Sequence, residues 1–300
     1  MWKRWYHELR ATLGQASGLP RPGSLDLERL RAVARTLPNE ELGGTTDPLS
    51  LDDVLADLAP HPQEDRLLGF YTEAGLDLAL RAYGVRAAIA EAGYPEVFGS
   101  FEPDHATGQR VRLFGDEAHT ELLVELVVRM SQEIPPLRLL SVEWLLLQNP
   151  RLLPAPERPL LPGQEHPGLG CFNCIVGMLV MAVERLGLDG MLFSPAHYHM
   201  AVRAYDQLRF LEPTVEARFL AMVRLLEHVP FEQASWAVAR GHVVDAQTGA
   251  PVAWRAEPMI LPQSRAARRL VRGPEYELAV RGHLSRQDLR VVSDETATAG

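Results

Sequence analysis

Apolar positions along the chain change their period near residue 95, and the change predicts helices before that point and strands after it. Trp5, Leu9 and Leu13 recur at i, i+4 and i+8, an apolar stripe for a short first helix. Gly18 to Ser24 interrupts it with two Pro and two Gly, and Ser24 is placed to cap a second helix over Leu25 to Leu37. Ser50-Leu51-Asp52-Asp53 opens another short helix, ended by Pro60 and Pro62. From Gln63 to Ala92, Leu67, Leu68, Tyr71, Leu76, Leu80, Tyr83 and Ile89 keep helical spacing, with a break expected at Gly75 or Gly84.

Short alternating or wholly apolar runs follow: Val97 to Phe101, Arg110 to Phe114, Glu121 to Val128 and Leu139 to Leu147. The links between them are short, which predicts an antiparallel meander. Asn149 to Pro167 is rich in proline and reads as an extended loop. Beyond it come a helix from Cys171 to Leu186, a short buried strand at Met191-Leu192-Phe193, a helix from Ala196 to Phe210 and helical sequence from Thr214 to about Ala239. A hairpin is expected between Val243-Val244-Asp245 and Val252-Ala253-Trp254, around Thr248-Gly249. A basic helix follows near Arg265 to Val271, and the chain closes in a frayed tail.

These patterns give an α/β (α+β) fold in which helices flank a mixed, mostly antiparallel sheet. Four segments are expected: an N-terminal helical segment (1–65), a core (66–215), a helical and hairpin extension (216–285) and a flexible tail (286–300).

Composition narrows the class without naming a function. The chain has 300 residues, 46% of them hydrophobic and 23% charged, as in ordinary globular proteins. A net charge of −9 argues against bulk attraction to nucleic acid or anionic lipid. A local basic patch is still conceivable around Arg265, Arg268, Arg269 and Arg272. No apolar run reaches the roughly 18 residues a membrane span needs, and no apolar segment follows the basic start in the manner of a secretory signal. Two cysteines exclude a disulfide framework, so the cytoplasm is the expected compartment.

The candidate chemistry lies between Leu139 and Pro213. Pro167-Gly168-Leu169-Gly170 stands between a strand and a helix, where glycines admit close backbone approach and the helix start favours an anion. Glu165-His166-Pro167-Gly168-Leu169-Gly170 resembles the pyrophosphate loop of the GNAT (Gcn5-related N-acetyltransferase) superfamily, Arg/Gln-x-x-Gly-x-Gly/Ala. Ala201, Tyr205 and Phe210 keep the spacing of that family's second motif, Ala-x-x-Leu-Tyr-x-x-x-Gly-Phe, with Ala204 and Arg209 in place of its Leu and Gly. The resemblance covers roughly 75 residues.

It implies a GNAT-like core that takes acetyl-CoA or another acyl-CoA as co-substrate and acylates an amine of unknown identity. Glu165, His166, Gly168, Leu169, Gly170 and Cys171 would then form the cofactor loop. Leu139 to Leu147 would be the strand whose splayed end admits the pantetheine arm. On it Glu143 would be the general base, its carboxyl pushed up by an apolar setting. Tyr205 would be the general acid that returns a proton to the thiolate. Glu165 stands where the family carries Arg or Gln and turns a negative charge towards the pyrophosphate. The alternative is therefore a degenerate GNAT-like interaction or regulatory protein, with a protein partner in place of turnover.

Cys171-x-x-Cys174 and His197-x-His199 also suggest a zinc site, or a redox pair at a helix start that lowers a thiol pKa. A pair in the first turn of an apolar helix lacks the knuckle that presents two thiolates, and no metal is assigned. The two histidines would instead line an acceptor pocket.

Overall fold

The computed structural model describes residues 25–43, 66–156, 159–205 and 207–292. The expected first helix around Leu9, the Ser24 cap, the helix opening at Ser50 and the last eight residues lie outside them. The described elements run α1 (Leu27–Arg35), α2 (Asn39–Leu42), α3 (Glu73–Ala82), α4 (Val85–Glu91), β1 (Phe98–His105), β2 (Gly108–Phe114), β3 (Leu122–Ser131) and β4 (Leu139–Leu147). They continue as α5 (Phe172–Arg185), β5 (Gly190–Phe193), α6 (Tyr198–Ala204), β6 (Arg209–Phe210), α7 (Pro213–Leu225) and α8 (Phe231–Ala239). The last are β7 (Val243–Asp245), β8 (Met259–Pro262), α9 (Arg265–Arg272), α10 (Pro274–Leu284) and β9 (Leu289–Val291).

The fold is mixed α/β, a mostly antiparallel seven-stranded sheet flanked by helices, with strand order β1-β2-β3-β4-β5-β8-β6. β1 to β4 form the expected antiparallel meander. Its alternation follows from burial of one face: Val111, Leu113, Val124, Leu126 and Val128 are buried, while Arg110, Arg112 and Glu125 on the other face keep contact with solvent. β4 and β5 pair in parallel, and β8 joins β5 and β6 to either side of it, antiparallel to both. Leu139, Leu140, Met191 and Leu192 are all buried, as central strands covered on both faces require.

The helical lead-in breaks at Gly84, whose φ of +81° ends one helix and starts the next. Gly75 stays inside α3, where the backbone of Leu42 passes so close that a Cβ would sit 2.2 Å from its carbonyl oxygen. α1 packs on α5, with Leu30 against Gly177. The carboxylate of Glu184 binds Arg31 at 2.6 Å and Gln263 at 2.6 Å, joining α1, α5 and the segment after β8.

Several boundaries differ from expectation. Asp26 accepts from the backbone of Arg29 at the start of α1. The helix expected to reach Phe210 stops at Ala204, because Arg209 and Phe210 pair with Ile260 and Met259 as β6. Pro230 divides the expected helix 214–239 into α7 and α8. β8 is a short apolar run between prolines, and it ties the expected 216–285 extension into the same sheet as the 66–215 core. The expected hairpin closes through the Val244–Pro251 bridge and backbone bonds from Val252 N–H to the Val243 carbonyl and from Asp245 N–H to the Ala250 carbonyl, but forms no extended ladder with 252–254. The ladder partner of β7 is β9, drawn from the segment expected as a tail. Among the described residues no helix is long and apolar enough to cross a membrane.

Candidate functional site

The parallel pair at the centre of the sheet is short. β4 and β5 match at four positions, Leu139 with Gly190 through Val142 with Phe193. β5 ends there, while β4 runs on to Leu147 without it. The ladder between β3 and β4 is bulged at the same place. Val128 faces Val142 and Val127 faces Trp144, so Glu143 is the extra residue. A bulge bends its strand and re-aims the side chains around it. The ladder between the two central strands therefore ends at Val142 and Phe193, with Glu143 the first residue of β4 beyond it.

Glu143 does not meet the apolar setting expected of it. Its carboxylate lies 2.7 Å from Nε of Arg129, and its side chain keeps 28% of its surface. Arg129 also holds Glu133, so one guanidinium sits between two carboxylates. Trp144 is 50% exposed. The Arg129–Glu143 pair was not visible in the sequence, because Arg129 falls one residue past the expected end of its strand and the bulge has no sequence signature.

The glycine loop lies before α5, whose N-cap is Cys171, with no side chain capping the helix start. Gly170 has a φ of +84°, a backbone that glycine adopts freely. Gly168 has no such φ, yet a Cβ there would meet nothing within 4 Å. Glu165, Gly168 and Gly170 are exposed and His166 half-buried, whereas Leu169 and Cys171 are buried in the core. Leu169 and Cys171 thus anchor the loop, and Glu165, Gly168 and Gly170 present it. Although residues 160–181 contain no Lys or Arg, the charge of Arg29 on α1 reaches Cys174 in the first turn of α5.

Burial pushes the Cys171 thiol up to about 12 and raises Cys174 as well, the opposite of the lowering expected at a helix start. Among the described residues no group of three or more His, Cys, Asp or Glu side chains is placed to hold a metal ion. The two histidines are brought together elsewhere. The rings of His197 and His199 stack at 5.5 Å between centroids, with an interplanar angle of 8°. Gly163, with φ +78°, makes room for His197: a Cβ would lie 2.1 Å from its Nε2. His199 is 5% exposed, its Nδ1 is buried without a hydrogen-bond partner, and burial lowers its pKa to about 3, with smaller pushes from His197 and Arg203.

Tyr205 stands apart from these groups. It is 2% exposed at the end of α6, and its hydroxyl donates to Glu216 on α7. Glu216 also accepts from the Phe210 backbone at 3.0 Å and lies 3.7 Å from Nε of Arg209. Burial holds the Tyr205 hydroxyl well above its ordinary range, and the charge of Glu216 pushes it the same way. Burial raises the carboxyl of Glu216 in spite of Arg209. The geometry gives Tyr205 a part in pinning β6 to α7.

Comparison with models of known protein families finds no match for the chain. Comparison with curated proteins likewise finds no match.

Proposed function

We propose that the protein is an acyl-CoA-dependent N-acyltransferase with a GNAT-like core, acting on an amine by direct attack on the thioester. The observation that carries it is the β4–β5 junction: two parallel central strands whose ladder stops after four positions, beside the bulge of β4 at Glu143. Where one strand of a ladder ends and its neighbour runs on, the longer strand offers backbone donors and acceptors on that side. An extended amide-bearing arm such as pantetheine can satisfy them as a strand would.

Further support comes from the loop before α5. Gly168 needs no glycine for its own conformation and no neighbour occupies the space beside it, as close approach of a ligand would require. Backbone N–H groups at the start of α5 favour a pyrophosphate there, and Arg29 adds a positive charge near Cys174. Glu143 takes the role of proton acceptor. In the transfer, Glu143 takes one proton from the ammonium and the free amine nitrogen bonds to the carbonyl carbon. The C–S bond then breaks, and the second proton released by nitrogen ends on the sulfur.

Calorimetric titration of the full chain with acetyl-CoA tests this, and saturable binding is the expected result. No binding or thermal stabilisation at millimolar acetyl-CoA would sink it. That outcome would favour the second reading, a GNAT-like interaction protein without turnover. The observations behind that second reading are the sealed Tyr205 hydroxyl and the exposed carboxylate of Glu165 in the loop.

A further inference from the structure

The segment that leads into the glycine loop is held from two sides. On one side the indole N–H of Trp236, on α8, donates to the Leu160 carbonyl at 3.0 Å. Leu161 and Pro162, next in the chain, are buried. On the other side Gly163 lies so close to the His197 ring that a Cβ would stand 2.1 Å from Nε2. A tight turn joins the two, with Leu161 N–H donating to the Gln164 side chain and Gln164 N–H to the Leu161 carbonyl. His197 stacks in turn on His199, which is 5% exposed and has a buried Nδ1 with no hydrogen-bond partner. Segment, His197 and His199 thus follow one another in contact.

This stack suits neutral rings. A buried imidazolium needs water or a carboxylate, and among the described residues no carboxylate pairs with either ring. Glu232 of α8 faces Arg203 instead, and residues 159–164 carry no charge. The charges that act on His199 are those of His197 and of Arg203, one turn further along α6, and both oppose its protonation.

We propose that His197 and His199 are an acid-operated latch: as neutral stacked rings they seat residues 159–167, and as imidazolium ions they repel each other and Arg203 and release that segment. The segment runs on into Gly168 to Gly170, so its release also unseats the glycine loop. The latch is a property of the fold and does not depend on what the loop binds. The closed state favours the neutral rings, so the segment is shut above pH 6.5 and opens progressively as pH falls below it.

Hydrogen exchange on the full chain between pH 8 and 5, corrected for the intrinsic rate at each pH, reads the latch at the Leu161 and Gln164 amides. Both should exchange well ahead of the amides of α5 at every pH, which marks the opening as local. With His199 at about 3 when closed and 6.5 when open, the open fraction should rise about thirty-fold over that range. His199→Phe, which keeps a flat ring on His197, should remove most of the rise, and His199→Gln should do the same with a smaller side chain. Gly163→Ala, pressed against His197, should release the segment at neutral pH as well. Exchange of the segment at the rate of α5, an open fraction that does not rise with acid, or a rise that survives in both His199 variants would each overturn the latch. Wild-type protection in Gly163→Ala would overturn the seating of the segment on His197.

Discussion

The hydroxyl of Tyr205 donates to the carboxylate of Glu216, eleven residues further along the chain, and both groups are buried. Around them Arg209 approaches the same carboxylate, the Phe210 N–H donates to it, and the Tyr276 hydroxyl donates to the Phe210 carbonyl at 2.6 Å. A two-residue strand at the edge of the sheet has little ladder of its own. β6 is held by this network and by its bonds to β8.

Removing the acceptor should therefore loosen the whole edge. Glu216→Ala removes the carboxylate that a buried guanidinium, a tyrosine hydroxyl and the Phe210 N–H share and is expected to cost about 3–5 kcal/mol. Tyr205→Phe keeps the ring packing on Phe219 and loses one donor, at a cost of about 1–3 kcal/mol. Urea denaturation of the three proteins checks both values. Equal stability of Glu216→Ala and wild type would show that the network does not hold β6.

His199 makes stability depend on pH over a definite window. Its pKa falls from an ordinary 6.5 to about 3 in the folded chain, so the folded state keeps it neutral while the unfolded state gains a proton below 6.5. The stability it contributes is present above pH 6.5 and is lost as pH falls towards 3. The slope approaches about 1.4 kcal/mol per pH unit at most. His197 and Arg203, which face it, reinforce the direction. His199→Phe should flatten the stability curve between pH 6 and 4, read from thermal midpoints across that range. An unchanged slope would show that another group sets it.

Glu184 acts in the same direction at lower pH. Hydrogen bonds from Arg31 lower its carboxyl, and burial opposes them. Its contribution is therefore complete above its ordinary value of 4.5 and fades as pH drops through the depressed folded value. Both partners are partly exposed, with 44% of the Arg31 side chain and 22% of the Glu184 side chain accessible, so about 1 kcal/mol is expected. Glu184→Gln should remove this acid-side loss and detach α1 first, as faster hydrogen exchange in residues 27–35. Unchanged exchange there would show that α1 is held instead by its apolar packing and the bond from Arg185 to the Ala34 carbonyl.

What the sequence carried and what it did not divide along physical lines. The meander was legible because its strands are runs of apolar or alternating residues with short links, the alternation of Val111 and Arg112 in β2 following from burial of one face and the apolar start of β4 from burial of both. β4 was legible to its last residue. β6 and β8 were not, because two and four residues are too few to show a period, and Arg209-Phe210 continues a helical pattern until Glu216 folds back on it. The glycine loop could be read, since its residues are contiguous. The pairing of Arg129 with Glu143 could not, because it depends on a bulge that changes which face Trp144 takes. Nor could the reach of the Arg29 charge to Cys174, which the packing of α1 on α5 brings about.

The two glycines of that loop separate conformation from ligand. Gly170 has a positive φ and open space around it, so Gly170→Ala meets backbone strain of about 1 kcal/mol and no clash. Gly168 has neither a positive φ nor a close neighbour, so Gly168→Ala is expected to leave the thermal midpoint unchanged or slightly raised. In the proposed site a Cβ at 168 would stand in the way of a pyrophosphate approaching the backbone. If acetyl-CoA binds there, Gly168→Ala should weaken it about ten-fold or more with no loss of stability, a combination that packing alone does not produce. Gly168→Ala with wild-type stability and wild-type acetyl-CoA affinity would place the cofactor elsewhere on the molecule. Calorimetry and thermal melts on the same preparation measure both quantities, and Gly75→Ala is the control for a glycine that packing does require. Its Cβ would press on the Leu42 backbone at 2.2 Å and should cost about 1–3 kcal/mol.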